Sequence, residues 1–279
     1  MRTIIVTGAT GTIGRAVIKI LSQHDGVAIR AATRHPEKVR AGVGAEQLTP
    51  VAFDWDAPHA AGDVTAPGGT MLVLPPAAHH PLPATTRLLD SAITAGVQHV
   101  VFLSTLGADF EPGFAFGRWA LAGEQAVAAA GLPYTVLRPN SYMTNFLTMS
   151  RPGHDGALRL PWSDGTCSFI DPRDVAAAAA HVLLEPHGHD GETYELTGPE
   201  ALNLHEIAAV LRATAGTGIR GHAAGNGPRC TVQLRHAAAD GHRVPGTPPR
   251  DGQQQTGTSH QPPATGHRTS APFLRRLRR

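Results

Sequence analysis

The stretch MRTIIVTGATGTIGRAV, residues 1–17, decides the reading of the fold. A short apolar run, Ile4-Ile5-Val6, meets Thr7, and glycines follow at Gly8, Gly11 and Gly14. Glycine costs backbone entropy wherever it is not needed, so three of them at equal spacing require a reason. Gly8 would allow a tight turn out of a strand. Gly11 would leave no side chain between the backbone and an anion. Gly14 would let a new helix lie close against the sheet. The backbone around Thr10, Thr12 and Ile13 would then face the anion, helped by the helix dipole. Ile13, Val17, Ile18, Ile20 and Leu21 carry the helical period that follows. Strand, glycine turn and helix in this order form the diphosphate-binding turn of dinucleotide-binding sheets. A glycine-rich turn with no ligand is the competing reading.

The chain has 279 residues, 41% of them hydrophobic, enough for one large or two small domains. Aromatics make up only 5%, so the core is expected to be built from Ala, Val, Leu and Ile. No apolar run approaches the ~20 residues of a membrane span. The chain enters a strand at once, without a signal-peptide pattern, and a cytoplasmic protein is expected. Cys167 and Cys230 make no metal or disulfide pattern, so no metal is expected. The only lysines are Lys19 and Lys38.

Over the first 217 residues, apolar runs alternate with helical patterns. Strands are predicted at Thr3–Val6, Ala28–Ala32, Leu48–Phe53, Thr70–Leu74, His99–Leu103 and Tyr134–Leu137. Helices are predicted at Gly14–Ser22, Pro36–Ala41, Pro83–Ala95 and Phe116–Ala130. Such alternation implies an α/β fold, a doubly wound parallel sheet covered on both faces. Ligands in such sheets bind at the carboxyl ends of the strands.

Those ends supply the candidate site. After the second strand, no acid stands between Val27 and Pro36 to meet a free ribose 2′-hydroxyl. Arg30, Arg34 and Lys38 offer positive charge instead, and Arg34 is placed to pair with a 2′-phosphate. NADP(H) is therefore expected over NAD(H), unless Arg34 is only a solvated arginine. Asp54 follows the third strand and could accept from the adenine amino group or act as a turn residue. Leu74 and Pro75 end the fourth strand, in a rigid loop expected under the ribose and nicotinamide. Ser104 ends the fifth, where it could face the nicotinamide or substrate or bond within the turn.

TGATGTIG, ATRHPEK, VVFLSTLGAD and GEQAVAAAGLPYTVLRPNSYMTNF together resemble the NmrA-like branch of the atypical short-chain dehydrogenases, over about residues 1–210. GLPYTVLRPN, residues 131–140, is the most specific piece. The branch includes NADPH-dependent quinone reductases and nicotinamide-sensing regulators. The resemblance implies Arg138-Pro139-Asn140 beside the nicotinamide, and a return to the core at Phe169–Ala176, where Asp171 or Asp174 would cap a helix. It also implies a substrate lobe drawn from about 140–170 and 190–216, with Tyr142, Met143 and Phe146 able to share a helical face.

The wider superfamily works through Tyr-x-x-x-Lys, in which tyrosine delivers a proton. Here the tyrosines are Tyr134, Tyr142 and Tyr194, and none has a lysine four residues on. Two readings follow. One is a reductase whose small acceptor, a quinone for example, needs little acid help, with Ser104, Asn140 and Tyr142 as candidate hydrogen-bonding groups. The other is an NADP(H) sensor without chemistry.

From residue 217 the composition turns to Gly, Pro, His, Thr, Gln and Arg without period, and a disordered tail over 217–279 is expected. Residues 218–279 hold ten arginines against Asp240 and Asp251, within a chain of net charge +2. A contact with nucleic acid is not the expected use of this charge. The change falls where helices closing the substrate lobe are expected, so the lobe reads as incomplete. A frameshift near codons 213–222 is a hypothesis that the other reading frames of the gene can test.

Overall fold

The computed structural model describes residues 1–39, 47–57, 61–76, 82–110, 113–147, 157–160, 165–215 and 220–223. All of them fall in the unit Met1–His242. The expected tail beyond residue 223 and its Cys230 lie outside the described residues.

Nine strands and six α-helices are described: β1 (Arg2–Thr7), α1 (Thr12–Leu21), β2 (Val27–Thr33), β3 (Leu48–Ala52), α2 (Ala61–Val64), β4 (Thr70–Val73), α3 (Leu82–Ala95), β5 (His99–Leu103), α4 (Ala115–Ala129), β6 (Tyr134–Pro139), β7 (Ala157–Leu160), α5 (Pro172–Leu184), β8 (Glu192–Leu196), α6 (Leu204–Ala215) and β9 (Arg220–Ala223). Seven strands form one sheet in the order β3-β2-β1-β4-β5-β6-β8, and every neighbouring pair is parallel. β7 and β9 make a separate parallel pair. The strand order reverses between β1 and β4, which opens the crevice where doubly wound sheets bind ligands.

Alternation along the central strands builds two cores. Ile4 and Val6 of β1, Leu72 of β4 and Val101 of β5 face α1 and α5, where they meet Val17, Leu21, Val175 and Ala179. Ile5, Met71, Val73, Val100 and Phe102 face the other way, onto Leu88 and Leu89 of α3 and Val127 of α4. Burial on both faces explains why these strands read as unbroken apolar runs. A third cluster joins Phe146, Cys167 and Phe169 to Leu204, Ile207 and Ala208, across the two stretches read as the substrate lobe.

Three local expectations need correction. Pro36–Ala41 was expected to be a helix; only Pro36–Lys38 turns, as one 3-10 segment, and residues 40 and 41 lie outside the described residues. Residues 143–147 form a 3-10 helix rather than an α-helix. Phe146 is buried against Phe169, with ring centroids 4.8 Å apart, while Met143 and Leu147 are exposed. Strand β9 lies beyond residue 217, where the tail was expected to begin. No helix among the described residues is long and apolar enough to cross a membrane.

Two close contacts locate the β1–α1 turn. Gly8 holds φ at +60°, the left-handed region. A Cβ on Gly14 would lie 2.3 Å from the Gly8 carbonyl oxygen. The third glycine thus seats α1 on the turn itself rather than on the sheet, as the sequence had implied. Thr7 ties this turn to β4: its hydroxyl donates to the Leu72 carbonyl at 3.1 Å and accepts from the Leu74 amide at 2.8 Å.

At the opposite edge of the sheet, His99 is buried at the start of β5. Thr135 Oγ1 donates to the His189 carbonyl at 2.7 Å, so His99 Nε2, 2.8 Å away, must be the donor to Thr135. Burial lowers the His99 pKa, and His189 and His187 add to this against Asp190. Burial also lowers that of His189, whose ring nitrogen pairs with the Tyr194 hydroxyl at 2.7 Å.

Three outcomes follow. Gly14→Ala is expected to lower the unfolding free energy by about 1–3 kcal/mol in urea titrations, as overpacking does. The unfolded chain takes up protons at His99 and His189 near pH 6.5, and the folded chain resists, so their stabilising effect is complete above that pH and declines as pH falls below it. Thr135→Val removes the acceptor of a buried N–H and is expected to cost about 1–3 kcal/mol at pH 8 by the same titration.

Candidate active site

The glycine turn opens α1 with no side-chain cap and no acidic residue in the first turn. Gly11 occupies the cap position in ordinary extended geometry (φ −75°, ψ 173°), and its amide bonds the Gly8 carbonyl at 2.9 Å. The first amides of α1, at Thr12, Ile13 and Gly14, therefore have no partner within the helix. A Cβ on Gly11 would touch only the Gly8 oxygen, at 3.1 Å, so the space above that residue is open. An uncapped helix end beside a bare backbone fits a diphosphate. Ile13 packs its side chain into the core and Thr12 is exposed, so what both offer the site is backbone. Thr10 Oγ1 lies 3.0 Å from Thr33 Oγ1, which holds the turn against the end of β2.

At the end of β2, Arg34 is exposed, and no protein group among the described residues pairs with it. Arg30, also read as available charge, is not. It lies mid-strand, and its guanidinium donates to the Val64 carbonyl at 3.2 Å and to that of Asp63, at the carboxyl end of α2. Asp54 Oδ1 accepts from the Asp56 amide at 3.1 Å, an Asx turn. Leu74 is buried beside Gly8, and Pro75 follows it into the loop. Pro75, Pro76, Leu82, Phe102, Phe116 and Trp119 line a shallow, open apolar cleft between this loop, α3 and α4.

Ser104 is buried, and its hydroxyl donates to Glu124 of α4, a residue to which the sequence reading assigned no role. The same carboxylate accepts from Arg138 through Nε at 2.9 Å and Nη2 at 2.7 Å. Arg138 Nη1 reaches Asp109 at 2.8 Å. Burial works against the Arg138 charge, but Glu124 and Asp109 more than offset it and raise its pKa. Ser104 is thus not a donor to a substrate oxygen, because its proton is already placed. The signal that could have found Glu124 is Gly123. A Cβ there would fall 2.4 Å from the Phe102 ring, so α4 approaches β5 closely enough for Glu124 to reach its end.

Pro139 ends β6, and its carbonyl accepts from the Leu106 amide at 2.9 Å. Asn140 Oδ1 accepts from the Ser141 amide at 2.8 Å, which orients the amide group. Its Nδ2 is buried with no hydrogen-bond partner. Tyr142 packs against the α1/α5 core, and burial pushes its phenol up to about 12. At neutral pH it is a neutral O–H donor. Asp171 caps α5 by accepting from the Arg173 amide at 2.8 Å, the structural role expected of it. Among the described residues, no His, Cys, Asp and Glu group could hold a metal.

The glycine turn, the free cation at β2 and the donors after β6 thus line the carboxyl edge on both sides of the crevice. Known proteins are similar to this chain in sequence and fold. An NAD(P)H azoreductase of Xenophilus azovorans is 33% identical over 218 residues, which are 78% of this chain and 75% of the azoreductase. An NADPH-dependent quinone oxidoreductase of Escherichia coli, solved with NADPH, superposes with a TM-score of 0.71 at 29% identity, covering 79% of this chain and 78% of its own. A Citrobacter triphenylmethane reductase solved with NADP(H) gives 0.69 at 25% identity, over 80% and 79%. Residues 1–225 match the NmrA-like family, which runs from the glycine turn through β9, and the chain belongs to that family.

Proposed function

We propose that this protein is an NAD(P)H-dependent oxidoreductase, favouring NADPH, that reduces a quinone-like or other small conjugated acceptor. The observation that carries the reading is the pair of donors after β6, Asn140 Nδ2 and Tyr142 Oη, on the same edge as a glycine turn built for a diphosphate. Relatives that use NADPH or NAD(P)H on quinones, azo compounds and triphenylmethanes support it.

The cofactor, when bound, supplies the hydride. The α1 amides would hold its diphosphate, and Arg34 would pair with the 2′-phosphate. Gly11 keeps the approach clear, while Asp54 has one carboxylate oxygen left for the adenine side. Leu74 and Pro75 would support the nicotinamide half. The open apolar cleft beside Pro75 and Trp119 offers the flat acceptor an apolar wall. Asn140 Nδ2 and Tyr142 Oη donate hydrogen bonds to the acceptor oxygen as negative charge grows there. Neither has to ionise, because a hydroquinone anion is stabilised by its own ring. This suits a chain without Tyr-x-x-x-Lys.

Purified protein is expected to oxidise NADPH in the presence of a simple benzoquinone and to leave aliphatic ketones nearly untouched, measured by absorbance at the nicotinamide band. The rate should show no ionisation of Tyr142 between pH 6 and 9, because its pKa lies about 12. Tyr142→Phe should cost one hydrogen bond, about 0.5–1.5 kcal/mol, or up to about tenfold in rate. A thousandfold loss would make Tyr142 an acid catalyst and overturn the donor role. Tight NADPH binding with no turnover of any acceptor would make the protein a sensor.

Arg34→Ala tests the cofactor preference separately. It should weaken NADPH about ten- to a hundredfold, the value of a charged hydrogen bond of about 1.5–3 kcal/mol, and leave NADH unchanged in calorimetric titrations. Equal affinity of the unmodified protein for both cofactors would defeat that assignment.

A further inference from the structure

Ser104, Glu124, Arg138 and Asp109 form a connected network at the carboxyl ends of β5 and β6 that the proposed chemistry leaves unused. Ser104 and Glu124 are 6% and 8% exposed. The Ser104 amide is fixed to the Leu137 carbonyl at 2.8 Å, so its backbone continues the β5–β6 ladder. Its side chain is fixed by Glu124. The Glu124 carboxylate accepts three hydrogen bonds, one from Ser104 and two from Arg138. A serine hydroxyl carries one proton and two lone pairs. With the proton directed at Glu124, only lone pairs remain for anything bound above.

The position of Ser104 says which part of a ligand it meets. The diphosphate turn follows β1, and Arg34 draws the adenosine half toward β2. An extended dinucleotide then runs the other way, across the crevice past Leu74 at the end of β4 to the ends of β5 and β6. Its nicotinamide half carries two kinds of donor, a carboxamide N–H and ribose O–H groups.

We propose that Glu124 and Arg138 are positioning residues that hold the Ser104 hydroxyl as a hydrogen-bond acceptor for a donor on the nicotinamide half of the cofactor. This rests on the cofactor reading given above. It assigns Ser104 the opposite polarity to a serine that donates to a substrate carbonyl. Arg138 holds the Glu124 carboxylate in place, and Asp109 holds Arg138 from its exposed side.

The test uses the full chain, NADPH titrated by calorimetry, and thermal unfolding without cofactor. Ser104→Ala should raise the Kd for NADPH about three- to tenfold with little change in unfolding temperature. Glu124→Leu/Arg138→Met replaces a buried ion pair by apolar side chains of similar bulk, a change that commonly preserves stability. Its Kd should rise by the same factor, because the Ser104 hydroxyl is then free to rotate, and adding Ser104→Ala to it should cost nothing more. A pair with a purely structural role would instead bind NADPH normally wherever the fold is retained. The 3-acetylpyridine analogue of NADPH, which lacks the carboxamide N–H, identifies the donor. If the Ser104→Ala effect vanishes with the analogue, the donor is the carboxamide; if it persists, the donor is a ribose hydroxyl.

Ser104→Ala binding NADPH within twofold of the unmodified chain overturns the proposal, as does a folded double variant with unchanged Kd. Should the double variant not fold, the Ser104→Ala result decides alone. Failure of the unmodified chain to bind NADPH is a separate result, and it overturns the cofactor reading itself.

Discussion

The rest of the structure depends on a contact that leaves no room for a carbon atom. Gly14 of α1 lies against the Gly8 carbonyl so closely that a Cβ would sit 2.3 Å from its oxygen. That approach fixes where α1 begins and aims its first amides over the end of β1. Thr7 then bonds the turn to Leu72 and Leu74, so the position of the turn is transmitted to β4. The crevice between β1 and β4 is therefore held by backbone geometry and one threonine hydroxyl, independently of any ligand.

The second organising approach lies across the crevice. Gly123 lets α4 close onto the Phe102 ring, which brings Glu124 to the end of β5. This helix carries neither tyrosine nor lysine. Here it carries a carboxylate that binds Ser104 and Arg138. The helix contributes an anchoring charge rather than a proton donor, and the free donors lie after β6 instead, at Asn140 and Tyr142. The carboxyl edge is thus divided, with a backbone cradle on the β1 side and polar side chains on the β5–β6 side.

Most of the sheet was legible from the chain because its central strands are buried on both faces. Ile4, Ile5 and Val6 or Val100, Val101 and Phe102 cannot be read as anything but interior. The seven-stranded order follows from strand-helix alternation. At residues 143–147 the spacing showed a shared face but not which side chains it buries: Phe146 enters the core and Met143 does not. The site was legible where it is made of backbone, as at Gly8, Gly11 and Gly14. It was not legible where it depends on pairing between distant side chains. Gly123 hints that α4 closes on β5, but nothing local to Glu124, Arg138 or Ser104 shows that the three meet, and nothing local to Arg30 shows that Asp63 and Val64 already hold it.

The two borders of the seven-stranded sheet have a consequence for association. β3 forms one border, and Phe53 at its end donates inward, to the Thr33 carbonyl at 3.0 Å. By alternation, Pro50 turns its nitrogen outward, where a strand from a second molecule would need a donor. β8 forms the other border and presents exposed Glu192 and Glu195, charges that repel the same strand of another copy. Both margins thus carry features that disfavour continued pairing with another copy. The protein keeps a long apolar sheet at its centre without making its own rim adhesive.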